Sequence, residues 1–317
     1  MSQRPPAAPV PPPLAGFGGQ PPPSPDWFRA ALADEPQRSL LVVQGAPIET
    51  LAWGRVGDPG LLLLHGNSAH ADWFSFIAPL LRHGRRVVAF SFSGMGASGW
   101  RTQYSVAQWG DEVLAVAAAT GLFDAPVLPT VVAHSFGSFP LINLAARVGE
   151  KLAHAVLVDT PLRPPKGQGP APMRLRPGYN PRSARVYGTL AQALLRFRLL
   201  PPQACAHPYI ADLVACRGLK QTTGPDGQPG WVWRFDPYLF RHFDFGQPEL
   251  DLGRARCAMT IVRGSRSRLM TVAAQEHALS LAPPGSQRLE LPDADHHVMI
   301  DQPLAFAELL ARLAPGA

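Results

Sequence analysis

Val131-Val132-Ala133-His134-Ser135-Phe136-Gly137-Ser138 is the stretch on which the reading of this chain turns. A β-branched apolar run leads into it, and a helical pattern from Pro140 to Val148 leads out. A serine between strand and helix, with small residues two before and two after, fits a turn too tight for bulky flanking side chains. Such a turn holds the hydroxyl up at the carboxyl end of a sheet. The flanks are Ala133 and Gly137, so the pattern reads A-x-S-x-G rather than G-x-S-x-G. Five residues also recur by chance, so the neighbouring segments must carry the decision.

Outward from the elbow, strands alternate with helices. Toward the N-terminus, Ser39 to Gln44 and Glu49 to Val56 read as a hairpin around Gly45-Ala46-Pro47. Gly60 to Leu64 is an unbroken apolar run, as in a strand buried on both faces of a parallel sheet. It ends in His65-Gly66-Asn67-Ser68 and is followed by a helical pattern with Trp73, Phe74, Ile77 and Leu81. Arg86 to Phe92 is a further strand, ending in the glycine-rich Ser93 to Gly99. Ser105 to Thr120 reads as an amphipathic helix stopped at Gly121. Beyond the elbow helix, Ala155 to Val158 continues the alternation and ends at Asp159. The expected class is therefore α/β, with a mainly parallel central sheet flanked by helices. Right-handed crossovers put the strand-end loops, where ligands bind, on one edge.

The pattern stops between Asp159 and the strand at Met259 to Arg263. Residues 161–256 are Pro/Gly-rich, with helical stretches at Ala184 to Leu200 and around Cys216, and an aromatic run Trp231-Val232-Trp233-Arg234-Phe235. This reads as a largely helical lid inserted between core strands. The core parts are then 26–160 and 257–317, the second with a helix from Met270, a strand Gln287 to Leu291 and a closing helix from Pro303. Residues 1–25, rich in Pro, Ala and Gly, read as a disordered tail outside the fold.

The composition narrows the function classes. With 317 residues, 46% hydrophobic and 16% charged, the chain can bury a sizeable core. The net charge of +6 comes mainly from scattered arginine; lysine occurs only at 151, 166 and 220. There is no dense basic run, which argues against nucleic acid as the partner. Three cysteines without metal-ligand spacing read as free thiols in a reducing compartment. No segment approaches a membrane span, and the proline-rich start has neither the basic residues nor the apolar core of a signal peptide. Cytoplasm is the expected location.

Ser135 needs a base, an orienting acid and donors for a developing oxyanion. The base candidates, His296 and His297, stand after the last strand in Asp293-Ala294-Asp295-His296-His297-Val298-Met299-Ile300-Asp301-Gln302-Pro303. Four ordered blocks now stand together: His65-Gly66, Gly94-x-Gly96-x-Ser98, the elbow at Ser135, and His296 ahead of Asp301-Gln302-Pro303. In this order the chain resembles the α/β-hydrolase fold superfamily, over roughly residues 39–315. The resemblance selects His296 as the base, because the histidine in that superfamily precedes an acidic-x-Pro signature by a few residues. It also implies Ser135 as nucleophile. Phe136, directly after it, supplies one oxyanion N–H from the start of a helix, where the dipole helps. By resemblance the second donor is Asn67, and His65 is a structural hydrogen-bonder.

The acid departs from the commonest pattern of that superfamily. The usual Asp of a G-x-x-D turn is replaced here, since Gly264-Ser265-Arg266-Ser267 puts a serine in its place. A subset of the superfamily carries the acid at the end of the strand after the elbow, which is Asp159 here. A carboxylate behind a buried apolar run needs a partner, and an imidazole would be one. Asp295 is the fallback, and a loop-capping role for Asp159 is the competing reading.

His65-Gly66-Asn67 and an acid on the earlier strand also resemble haloalkane dehalogenases. Those use an aspartate nucleophile, whose alkyl ester water can open at the acyl carbon; Ser135 would leave a dead-end ether. The reading is a serine hydrolase of an ester or related acyl bond, on a partly apolar small-molecule substrate, needing no metal or organic cofactor. The alternatives are a C–C bond hydrolase of a ring-cleavage product and a non-catalytic ligand-binding member of the fold.

Overall fold

A computed structural model describes residues 10–160, 162 and 184–316. Its centre is an eight-stranded sheet in the order β1-β2-β4-β3-β5-β6-β9-β10. The strands are β1 (Gln37–Val43), β2 (Ala46–Trp53), β3 (Gly60–Leu64), β4 (Arg86–Phe90), β5 (Thr130–His134), β6 (His154–Val158), β9 (Met259–Gly264) and β10 (Gln287–Leu291), while β7 (Leu219–Thr223) and β8 (Pro229–Trp233) form a separate ribbon. β2 runs antiparallel to both β1 and β4, and the remaining neighbours are parallel.

The hydropathy of each strand matches its rank in the sheet. β3, β4, β5 and β9 are buried at every residue, as apolar-rich strands covered on both faces must be. The edge strand β1 leaves Leu40 and Val42 exposed.

The helices are α1 (Asp26–Ala33), α2 (Ala78–Leu81), α3 (Val106–Ala119), α4 (Ser138–Val148), α5 (Leu190–Leu194), α6 (Pro208–Arg217), α7 (Pro248–Gly253), α8 (Val272–Leu281), α9 (Val298–Asp301) and α10 (Pro303–Leu313). Two hydrophobic clusters fill the faces of the sheet. One holds Phe28, Phe74, Ile77, Val214 and Phe306; the other holds Trp109, Val113, Leu141, Leu144 and Ala278. Ser105 caps α3, its hydroxyl accepting from the Gln108 N–H, which is why the helix begins where the polar-to-apolar pattern changes.

Three expectations change. Residues 10–25 are not a detached tail: Leu14 is buried in the same hydrophobic cluster as Phe28, and Gly19 lies so close to Ala191 that a Cβ would come within 2.6 Å of its methyl. Residues 1–9, and the inserted residues 161 and 163–183, lie outside the described residues. The helix read over Ala184 to Leu200 is one short turn, α5, capped by Thr189. The aromatic run Trp231 to Trp233 is a strand, β8, paired antiparallel with β7 across a turn at Gly227. Its alternating burial and β-rich composition outweigh the helical setting read for the insertion.

Candidate active site

Strand register brings the predicted residues together. His134 pairs with Val158 across β5 and β6, so Ser135 and Asp159 are the first residues beyond the sheet on adjacent strands. Both take left-handed backbone angles, φ 52° for Ser135 and 47° for Asp159, which turn the chain sharply off the sheet edge. A non-glycine residue in this region is uncommon, and two side by side mark a site whose surroundings hold them there. The flank at Gly137 is obligatory, since a Cβ there would lie 2.3 Å from the His65 carbonyl oxygen.

Asp159 is fully buried, and three donors converge on its carboxylate. His296 Nδ1–H reaches Oδ1 at 2.8 Å, the Ser267 hydroxyl reaches the same oxygen at 2.6 Å, and the Gly264 N–H reaches Oδ2 at 3.0 Å. A pocket of donors with no acceptor calls for a carboxylate. Ser267 therefore stands where the commonest pattern has its acid and hydrogen-bonds the carboxylate of Asp159. Its oxygen in turn accepts from the N–H groups of Leu269 and Met270, at 3.2 and 3.1 Å. Gly264 admits the loop that carries His296, because a Cβ there would lie 2.3 Å from the Asp295 carbonyl oxygen.

His296 is 3% exposed and Ser135 8%. Two further histidines surround His296. His134, the residue before Ser135, has its ring 4.8 Å from that of His296, and its Nε2–H donates to the His296 carbonyl oxygen at 2.9 Å. His297 donates from Nδ1 to Gln203 Oε1 at 2.7 Å, and its ring centroid lies 5.5 Å from that of Trp73 with the planes tilted by 37°. Burial, and then the neighbouring His296, push both His134 and His297 well below the usual imidazole range, so both are neutral.

The loop after β3 lies directly against the elbow: a Cβ on Gly66 would sit 3.2 Å from the Ser135 Cβ. Asn67 follows, exposed, and the chain turns through Ser68 at φ 55°. His65 donates from Nδ1 to the Gly66 carbonyl at 2.7 Å and accepts from the Phe92 N–H at Nε2, at 3.1 Å. Burial pushes its pKa down to about 3. Both nitrogens are used and the ring is neutral, so His65 ties β3 to the end of β4.

The glycine-rich block serves the scaffold in the same way. Ser98 Oγ donates to the Ser91 carbonyl at 2.5 Å and accepts from the Glu49 N–H at 2.9 Å. Asp295 offers its N–H to Asp301 Oδ2 at 2.7 Å; the hydrogen bond to His296 Nδ1 belongs to Asp159.

Phe136 is the second residue of the 3-10 turn Ser135–Gly137 that runs into α4, and its N–H is among the first-turn donors that a helix leaves unpaired. Its ring is the centre of an aromatic group with Phe139, Phe240, Phe243 and Phe245, at centroid distances of 5.1 to 5.9 Å. Three of the four come from the inserted segment. The phenylalanine-rich stretch from residue 235 to 245 was the available sequence signal for this group. Two participants had no such signal: His134 at a variable motif position and Gln203 in a connector.

The sequence matches the alpha/beta hydrolase family over residues 61–309, and the chain belongs to that family. None of the curated proteins searched matches it. Among solved structures it is similar to a thioesterase domain from the curacin biosynthetic pathway, at 21% identity and TM-score 0.69, covering 87% of this chain and 99% of that one. It is also similar to an esterase from Mycobacterium tuberculosis, at 21% identity and TM-score 0.67, covering 92% and 99%. A third is E-2-(acetamidomethylene)succinate hydrolase, at 16% identity and TM-score 0.67, covering 87% and 98%. At these identities the likeness is one of fold.

No described helix is long and apolar enough to cross a membrane.

Proposed function

We propose that this protein is a serine hydrolase cleaving an ester or related acyl bond through Ser135, His296 and Asp159. The observation that carries the reading is the 2.8 Å hydrogen bond from His296 Nδ1–H to a buried, donor-saturated Asp159, at the sheet edge where Ser135 leaves β5. A carboxylate on Nδ1 fixes the tautomer in which Nε2 is the free base.

In the first half-reaction, Ser135 Oγ attacks the acyl carbon and its proton passes to His296 Nε2. Asp159 stabilises the imidazolium, and the N–H groups of Phe136 and Asn67 receive the oxyanion. Collapse of the tetrahedral intermediate expels the leaving group, which takes the proton from His296. Water then attacks the acyl-enzyme, giving its proton to Nε2, and the acid product leaves as Ser135 is reprotonated. The Ser135–His296 hydrogen bond is not formed in this structure; contacts of this kind tighten in the substrate complex. The phenylalanine group around Phe136 supports a partly apolar substrate.

The test is turnover of a panel of p-nitrophenyl esters and acyl thioesters beside a vinylogous diketone, with Ser135→Ala as control. Ester or thioester turnover lost in Ser135→Ala supports the reading. Turnover of the diketone alone would reassign the chain to C–C bond hydrolysis, and turnover of none would leave a ligand-binding role.

A further inference from the structure

A single peptide unit, the one joining His296 to His297, is gripped from both sides. Its carbonyl accepts from His134 Nε2–H on the elbow side, at 2.9 Å. Its N–H donates at 3.0 Å to Oε1 of Gln203, which belongs to the inserted segment between β6 and β9. The same Gln203 oxygen accepts from His297 Nδ1–H at 2.7 Å. Its amide nitrogen donates to both oxygens of Asp301, each at 2.9 Å, and Asp301 Oδ2 also takes the Asp295 N–H.

The network admits one orientation of the glutamine amide, because the peptide N–H requires an acceptor and the carboxylate requires a donor. Gln203 is buried, and every strong hydrogen-bonding direction it points into this loop is occupied. It bridges the residue after His296 to Asp301, at the end of α9, and so spans the segment on which the histidine is carried.

We infer that Gln203 is a positioning residue: a lid side chain that sets the orientation of His296 by holding the peptide next to it. This inference rests on the reading of His296 as the base. A peptide plane free to rotate would swing the imidazole off the line between Ser135 and Asp159. Misplacement of a reacting group by about 1 Å is enough to cost about 100-fold in rate.

The test uses the full-length protein, a p-nitrophenyl ester and a fluorophosphonate probe, comparing Gln203→Ala, Gln203→Glu and the double variant Gln203→Glu with Asp301→Asn. Gln203→Ala should lower kcat by about 10- to 100-fold per labelled Ser135, with KM within about threefold. Gln203→Glu alone should be no better, since a second carboxylate then faces Asp301. The double variant restores the pattern with its polarity exchanged. The carboxylate now at position 203 accepts from His297 and from the amide now at position 301, whose own oxygen accepts from the Asp295 N–H. This variant should recover to within about fivefold of the wild type, an outcome that mere filling of space by Gln203 would not produce. A Gln203→Ala kcat near wild type, or a double variant no better than Gln203→Glu alone, would overturn the inference. If the wild type itself neither turns over nor labels, the catalytic reading has failed. The clamp is then read by hydrogen exchange, where the His297 amide should be protected in the wild type and exposed in Gln203→Ala. An unprotected wild-type amide overturns the clamp on its own.

Discussion

Replacing Asp159 by Asn probes the least conventional part of the proposed site. The carboxylate receives three hydrogen bonds and gives none, two on Oδ1 from His296 and Ser267 and one on Oδ2 from Gly264. An asparagine can meet this in two ways, both poor. With its amide nitrogen at the Oδ2 position, the NH2 faces the Gly264 N–H and two donors oppose each other. With the nitrogen at the Oδ1 position, it faces His296 Nδ1 and forces the other tautomer, in which Nε2 carries the proton and cannot act as base. Either way the negative charge that stabilises the imidazolium is gone. The expected loss in kcat is about 10³- to 10⁴-fold, or about 4 to 5.5 kcal/mol of transition-state stabilisation. The unmatched donors should also cost about 1–3 kcal/mol of folding stability. The assay is kcat on a p-nitrophenyl ester, normalised to folded protein by circular dichroism and a melting curve. A folded Asp159→Asn protein within tenfold of wild-type kcat would move the acid elsewhere and refute the argument from the donor pocket.

Further expectations follow from neighbouring residues. Ser267→Ala removes one charge-assisted hydrogen bond to Asp159 and strands two backbone N–H groups; stability should fall by about 1.5–3 kcal/mol in a denaturant titration, with a smaller loss of kcat than in Asp159→Asn. Gly137→Ala forces a methyl to within 2.3 Å of a backbone oxygen and should destabilise the fold by at least about 2 kcal/mol, seen as a lower melting temperature. Thermal stability should also drop as pH falls below about 6.5. His65, His70, His134 and His297 are all held below their unfolded value, chiefly by burial, so the unfolded chain takes up protons that the folded chain refuses. Asp301 works the other way, its carboxyl pushed up to about 6 by burial, and adds stability as pH falls from about 6 toward 4. Burial also lowers His154 and His207 and raises Glu112 and Asp212, and six histidines against three carboxyls make net loss on acidification the expected outcome of melting curves from pH 8 to 5.

Much of this site is legible in the chain because its parts are local or lie on strong apolar runs. Ser135 and Gly137 announce a tight turn, and Asp159 closes a buried strand whose register with β5 is set by burial on both faces. The substitution at Ser267 was visible as an absent acid. Its hydroxyl as donor to Asp159 was not, because that contact joins residues 108 apart in sequence. His134 and Gln203 were missed for the same reason. His134 occupies a position the elbow pattern leaves open and Gln203 lies in no pattern at all, and each acquires its role only when the loop after β10 folds over the sheet edge. The insertion reads worst: apart from α6 around Cys216, its short connectors, short helices and ribbon have too little periodicity for the pattern of apolar residues to specify them.

The central claim is that Ser135 is a nucleophile activated by His296. Fluorophosphonate treatment of the folded protein, followed by protease digestion and peptide mass analysis, tests it most directly. The account predicts one phosphonyl adduct, on Ser135, formed by the wild type and by neither Ser135→Ala nor His296→Ala at a comparable rate. A folded wild-type protein that remains unlabelled while a control hydrolase reacts, or an adduct on another residue, would contradict it.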